Sequence, residues 1–247
     1  YDEDGNLTKD LNKNISDIQY NFLNLPRRIQ FKDGSEISYL YSADGTKLQT
    51  THIIAGNTTT TDYCGNVIYE NGSRDKLLTE QGYFSIADKK FHYYIQDHQG
   101  NNRVVASQDG MIEEVNHYYP FGGLFAIYSS AQPYKYNGKE LDRKAGLDWY
   151  NYGARQYDPV LGRWHTMDLM AEKYYKVSPY VYCLNNPILL IDPNGMWPTW
   201  GGISRGLSNA FKGTLSFTNG AARAVADNMF LGQTSLRETG IYSNAAA

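Results

Sequence analysis

Two isolated aspartates, Asp168 and Asp192, lie inside a stretch from Trp149 to Met196 that is otherwise dense in Tyr, Gly, Asn and Pro. Two carboxylates that share one proton can hydrolyse a peptide bond without a metal or a nucleophilic side chain. The ionised one activates water, and the neutral one protonates the carbonyl oxygen or the leaving amine. This chemistry requires the two groups to be close to each other and to the bond being cut. From the residues alone, Asp192-Pro193-Asn194-Gly195 is more readily a type I turn than a catalytic site. Arg163 is either a charge-assisted partner that orients Asp168 or a strand-end arginine paired with some surface carboxylate. Asp158-Pro159, following Tyr157, lacks a Gly at the matching position and reads as a structural turn.

Other residue types point to less chemistry. His52, His92, His98, His117 and His165 form no HxH or HExxH spacing, so no metal site and no cofactor is predicted. Glu113-Glu114 sits beside a hairpin and reads as a solvated edge. Cys64 and Cys183 are compatible with one long-range disulfide or with two free thiols. A formal charge of −3 gives no electrostatic case for nucleic acid or an anionic membrane. Tyrosine clusters such as Tyr118-Tyr119 can stack on sugars, although inter-strand packing explains most of them more cheaply.

The elements that must position the aspartates are short strands. With 22 tyrosines and 23 glycines in 247 residues, the composition suits strands joined by tight turns. Alternating residues such as Ile37, Tyr39 and Tyr41, or Phe91, Tyr93 and Ile95, are followed by turn pairs: Asp33-Gly34, Asp44-Gly45, Asn71-Gly72, Gly100-Asn101 and Asp109-Gly110. Such pairs tolerate the positive φ of primed hairpin turns, which predicts consecutive antiparallel hairpins. YDEDGNL at Tyr1 to Leu7 recurs as YSADGTKL at Tyr41 to Leu48, and lead tyrosines recur at Tyr20 and Tyr63, a period of about 20.

On these residues the chain resembles the bacterial YD-repeat, or Rhs repeat-associated core, proteins. The signature is carried by Tyr1, Asp2 and Gly5. The core block is carried by Gly146 to Trp164, with Tyr157, Asp158, Pro159 and Gly162, and by Ser178 to Gly195, with Asn185, Asn186, Pro187, Pro193 and Gly195. The resemblance implies a mainly β fold, in which antiparallel YD-repeat hairpins form part of a spiral β-shell, or cocoon, with a core plug at one end. It implies YD-type repeats over 1–90, the core over 91–197 and a variable segment over 198–247. It also implies encapsulation of a C-terminal effector, released by a single-turnover aspartyl self-cleavage. Asp168 and Asp192 match the paired aspartates, and the bond cut is Met196-Trp197. Leu169 and Met196 depart from the family pattern, where Pro and Leu are usual.

After Trp200 the pattern changes to a helical period. Ile203, Leu207, Phe211 and Leu215, then Ala221, Ala224, Val225, Met229 and Phe230, predict two helices around Asn219-Gly220. This short α-helical tail reads as a truncated effector or a linker. No apolar run approaches the roughly 20 residues that span a bilayer, and no signal peptide is visible behind Tyr1. Any export signal must lie upstream of Tyr1 or be absent, and the resemblance implies a setting in a larger secreted or bacterial cell-surface protein. Its partners would be its own effector segment and, by family, an immunity protein and a secretion machinery. The rival expectation is a non-cleaving structural or adhesion fragment that binds carbohydrate.

Overall fold

Residues of high strand propensity between short turns form eleven strands, each hydrogen-bonded to the next in one antiparallel sheet. They are β1 (Ile15–Tyr20), β2 (Pro26–Phe31), β3 (Glu36–Tyr41), β4 (Lys47–Ile54), β5 (Asn57–Cys64), β6 (Val67–Glu70), β7 (Ser73–Thr79), β8 (Gly82–Ser85), β9 (Lys90–Gln96), β10 (Asn102–Ser107) and β11 (Ile112–Val115). The computed structural model describes residues 1–126, 131–196 and 198–200.

Two turn types recur among the hairpins. Asn71-Gly72 and Ala55-Gly56 place both residues at positive φ, as two-residue primed hairpins require. At Asp33-Gly34, Asp44-Gly45 and Asp109-Gly110 only the glycine has positive φ. In the first two of these the aspartate carboxylate instead caps the turn, accepting from Ser35 N–H at 2.9 Å and from Thr46 N–H at 3.1 Å. These are type I turns closed by a left-handed glycine, not the primed turns expected from the dipeptide alone.

Alternation gives the sheet one packed face. Ile15, Ile18, Ile29, Phe31, Ile37 and Tyr39 bury against Leu147 and Trp149. Phe91, Tyr93 and Ile95 point the other way and are 42%, 42% and 56% exposed. Pairing continues across residue 90, where β8 and β9 pair from Gly82↔Tyr93 to Ser85↔Lys90. The hairpin series runs on to Val115.

Beyond it the elements are short: β12 (His117–Tyr118) with β13 (Leu124–Ala126), then a four-stranded sheet of β14 (Glu140–Asp142), β15 (Trp149–Asn151), β16 (Gln156–Asp158) and β17 (Arg163–Trp164). β18 (Leu190–Ile191) pairs with β19 (Thr199–Trp200). Their core is aromatic: Tyr136, Tyr150, Tyr152, Tyr157, Trp164 and Tyr182 cluster with Leu141 and Cys183. Polar contacts tie this plug to the sheet. Lys47 and Tyr63 both reach Glu140 at 2.5 Å, and His52 meets Asp142 at 2.9 Å.

The first repeat also docks here. Tyr180 Oη donates to the carbonyl of Gly5 at 2.8 Å, and Tyr1 packs edge-on against the Tyr180 ring. Helical content among the described residues is limited to short 3-10 turns, and the helices expected after Trp200 lie outside them. Cys64 and Cys183 are free, one exposed and one buried. Glu114 is not a solvated edge residue: it faces inward from β11, is 1% exposed and is paired with Lys135.

Candidate active site

The β15–β16 hairpin supplies the centre of the site. Its turn is closed by Tyr152 N–H on the Arg155 carbonyl at 3.1 Å, and Gly153 N–H donates to Asn151 Oδ1 at 2.8 Å. Arg155 lies two residues before Tyr157 and so shares its inward face. Its guanidinium lies 4.3 Å from the Trp164 ring. Arg155 is 2% exposed, and every edge of its fork is used. Nε donates to the Gly195 carbonyl at 2.6 Å and Nη1 to the Pro179 carbonyl at 3.1 Å. Nη2 bonds Asp168 Oδ2 and lies 3.7 Å from Asp192 Oδ2. One guanidinium nitrogen thus joins both aspartates.

Each aspartate is held by its own loop. Asp168 Oδ1 accepts Met170 N–H at 2.8 Å, and its carbonyl accepts Ala171 N–H at 3.0 Å, opening a 3-10 turn over Ala171–Tyr174. Leu169, at the position where the family pattern has Pro, is 63% exposed. The aim of the Asp168 carboxylate is therefore set by Met170 N–H and Arg155. Asp192 follows β18, and its Oδ1 accepts three backbone N–H groups: Asn194 at 3.2 Å, Gly195 at 2.8 Å and Met196 at 3.2 Å. The Asp-Pro-Asn-Gly run is thus a turn whose aspartate is also one of the paired carboxylates.

Burial pushes the Asp192 carboxyl above the usual carboxylate range, outweighing Arg155 and the backbone donors. Asp168 carries the direct bond to the cation, whereas Asp192 lies farther from it and its pKa is raised by burial.

Arg163 is elsewhere. Its Nη1 donates to Asn185 Oδ1 at 2.7 Å and to the Gly162 carbonyl at 3.2 Å, because β17 turns its side chain outward. Arg155, not Arg163, contacts Asp168. The sequence signal for it is the in-register spacing to Tyr157. Asp158 is a turn residue as expected: its Oδ1 accepts Val160 N–H at 2.7 Å, and its carbonyl accepts Gly162 N–H at 2.9 Å. The remaining motif residues brace the site. Lys139 Nζ donates to the Pro193 carbonyl at 2.6 Å, Gln99 donates to the carbonyls of Pro187 and Ile188, and Asn186 N–H donates to the Cys183 carbonyl. Met196 is half-buried, and Trp197 lies outside the described residues.

Gly195 has φ +79, and a Cβ there would lie 3.0 Å from Arg155 N and 3.3 Å from Tyr152 Cβ. Gly195→Ala is expected to cost about 1–2 kcal/mol in chemical denaturation. An unchanged midpoint would show that the turn does not need this conformation.

The teneurin YD-shell family model matches residues 1–188. Salivary gland surface protein 1 of Aedes aegypti is 32% identical over 223 residues, 79% of this chain and 6% of that protein. Toxin subunit YenC2 of Yersinia entomophaga is 38% identical over 96 residues, 36% of this chain and 10% of that subunit. The solved Tc holotoxin pore of Photorhabdus luminescens shares the fold, with a TM-score of 0.61 and 23% identity over 74% of this chain and 10% of that one. The chain spans 6% to 10% of the length of these relatives.

Proposed function

The chain belongs to the teneurin YD-shell family, and from that premise we propose that it is the closing part of a toxin shell that releases a C-terminal effector by cutting its own Met196-Trp197 bond. The observation that carries this reading is the Arg155 fork, which joins Asp168, Asp192 and the carbonyl of Gly195, one residue before that bond. Asp168, bonded to the guanidinium, takes a proton from water. The hydroxide oxygen bonds the Met196 carbonyl carbon, Asp192 gives its proton to the Trp197 nitrogen, and the C–N bond breaks. Holding the chain and both carboxylates in one rigid cluster supplies the proximity that a single-turnover reaction needs.

The segment released by the cut, 197–247, contains the variable part in this reading, and the shell before it acts as part of a larger secreted or surface protein. An immunity protein and a secretion machinery are its expected partners. For the adhesion alternative, Tyr136, Tyr150, Tyr152, Tyr157 and Tyr182 are buried together and offer no face to a sugar, whereas Tyr119, 54% exposed beside Phe125, does.

Intact mass of the whole expressed chain tests the proposal. Two species divided at Met196-Trp197 are expected. A chain that stays whole at both mildly acidic and neutral pH overturns it. The rate should fall as pH rises through the raised pKa of Asp192, approaching about tenfold per pH unit beyond it. The same raised pKa makes the contribution of Asp192 to stability fully present below its ordinary value of 3.8 and lost as pH rises through the folded value.

A further inference from the structure

Away from the aspartates, three side chains converge where β11 leaves the long sheet. Glu114 and Asn116 are two residues apart and share the inward face, at 1% and 3% exposure, and Lys135 is 1% exposed. Lys135 Nζ and Asn116 Nδ2 both contact the same oxygen, Glu114 Oε1. The rest of the triad is fixed by backbone. Glu114 Oε2 accepts Ala131 N–H at 2.8 Å, and Asn116 Nδ2 also donates to the Asn102 carbonyl at 3.0 Å, which orients the amide. The Lys135 carbonyl in turn accepts Asn102 N–H at 3.1 Å.

A fully buried Lys–Glu pair is a weak source of stability, because the loss of hydration of both ions offsets their attraction. The added amide makes a different use of the pair possible. We propose that Lys135 and Asn116 join in an intramolecular isopeptide bond, with Glu114 carrying the protons. A proton passes from the Lys135 ammonium to the Glu114 carboxylate, leaving a neutral amine beside a neutral acid. The free pair on Nζ bonds Asn116 Cγ. Glu114 gives a proton to Nδ2 and takes one from Nζ, the Cγ–Nδ2 bond breaks, and ammonia leaves. The product is a Cγ–Nζ amide and a protonated Glu114, with no oxidant or co-reactant.

Three features favour this step. The shared oxygen contacts both the attacking and the leaving nitrogen, as a proton shuttle must. Burial lowers the pKa of Lys135, which favours the nucleophilic amine. The fold holds the reactants together, which removes the entropic cost of bringing them together. The bond would tie the last strand of the long sheet covalently to the plug that carries the aspartates.

Intact mass and peptide mapping of the whole expressed chain test for the bond directly. The expected result is a mass lower by one ammonia, located in a branched peptide that joins the Asn116 and Lys135 segments. Glu114→Gln should restore the full mass expected for that variant. An unaltered chain of full mass overturns the proposal, as does an ammonia loss that maps elsewhere, for example to Asn71-Gly72. The unaltered chain alone distinguishes these outcomes, even if a variant fails to fold. Both residues precede Met196, so the deficit is read on the whole chain or on the released N-terminal fragment, independently of whether self-cleavage takes place.

Discussion

Asp192→Asn is expected to slow self-cleavage by on the order of 10³-fold while leaving the chain folded. The substitution separates chemistry from architecture because asparagine keeps an oxygen where Asp192 Oδ1 accepts from Asn194, Gly195 and Met196. Only the other oxygen changes, to an amide nitrogen 3.7 Å from the Arg155 fork, and the group can no longer cycle a proton. Near-unchanged thermal unfolding with no cut by mass spectrometry is the expected pair of results. If Asp192→Asn breaks at the same bond and rate, the carboxyl is not the acid and the mechanism is wrong. Asp168→Asn should also abolish the cut but disturb the fold more, because it removes the charge that compensates a buried arginine.

The strands and the two aspartates are legible in the sequence for local reasons. Ile37 and Tyr39 alternate with polar neighbours, and turn dipeptides punctuate the runs, so period and punctuation agree. Turn type is not legible, because Asp33 and Asp44 cap type I turns with their carboxylates whereas Asn71 enters the left-handed region itself. That choice depends on how many residues the flanking strands leave between them, not on the dipeptide.

Arg155 escapes a sequence reading for a different reason. Arg163 is nearer to Asp168 in sequence, but β17 turns it toward Asn185, whereas the hairpin before β16 carries Arg155 beneath Trp164. Partnership here follows strand facing, not sequence distance. Glu114 misleads in the same way. A Glu-Glu pair at a strand end looks solvated until the inward face of β11 is known to meet Lys135.

Replacing Arg155 with Met is expected to cost about 3–5 kcal/mol, the range for removing one partner of a buried ion pair. In a domain of this size that lowers the unfolding midpoint by roughly 10 °C. The cost arises because Asp168 and Asp192 remain buried, at 4% and 2% side-chain exposure, with no cation between them, while the Gly195 and Pro179 carbonyls lose their donor. Adding Asp168→Asn to Arg155→Met should recover part of the loss by removing one uncompensated charge, a coupling that a double-mutant cycle measures. Purely additive losses would show that the fork does not join the two sites.

Arg155→Lys separates a positioning role from a structural one. A lysine retains the charge but, as a single point donor, cannot reach two carboxylates and the Gly195 carbonyl together. The lysine variant should therefore keep most of the stability that the methionine variant loses, yet cut far more slowly than the unaltered chain. Cleavage that survives in Arg155→Lys at the original rate would reduce Arg155 to a buried counter-charge and leave the aim of the aspartates to their own loops.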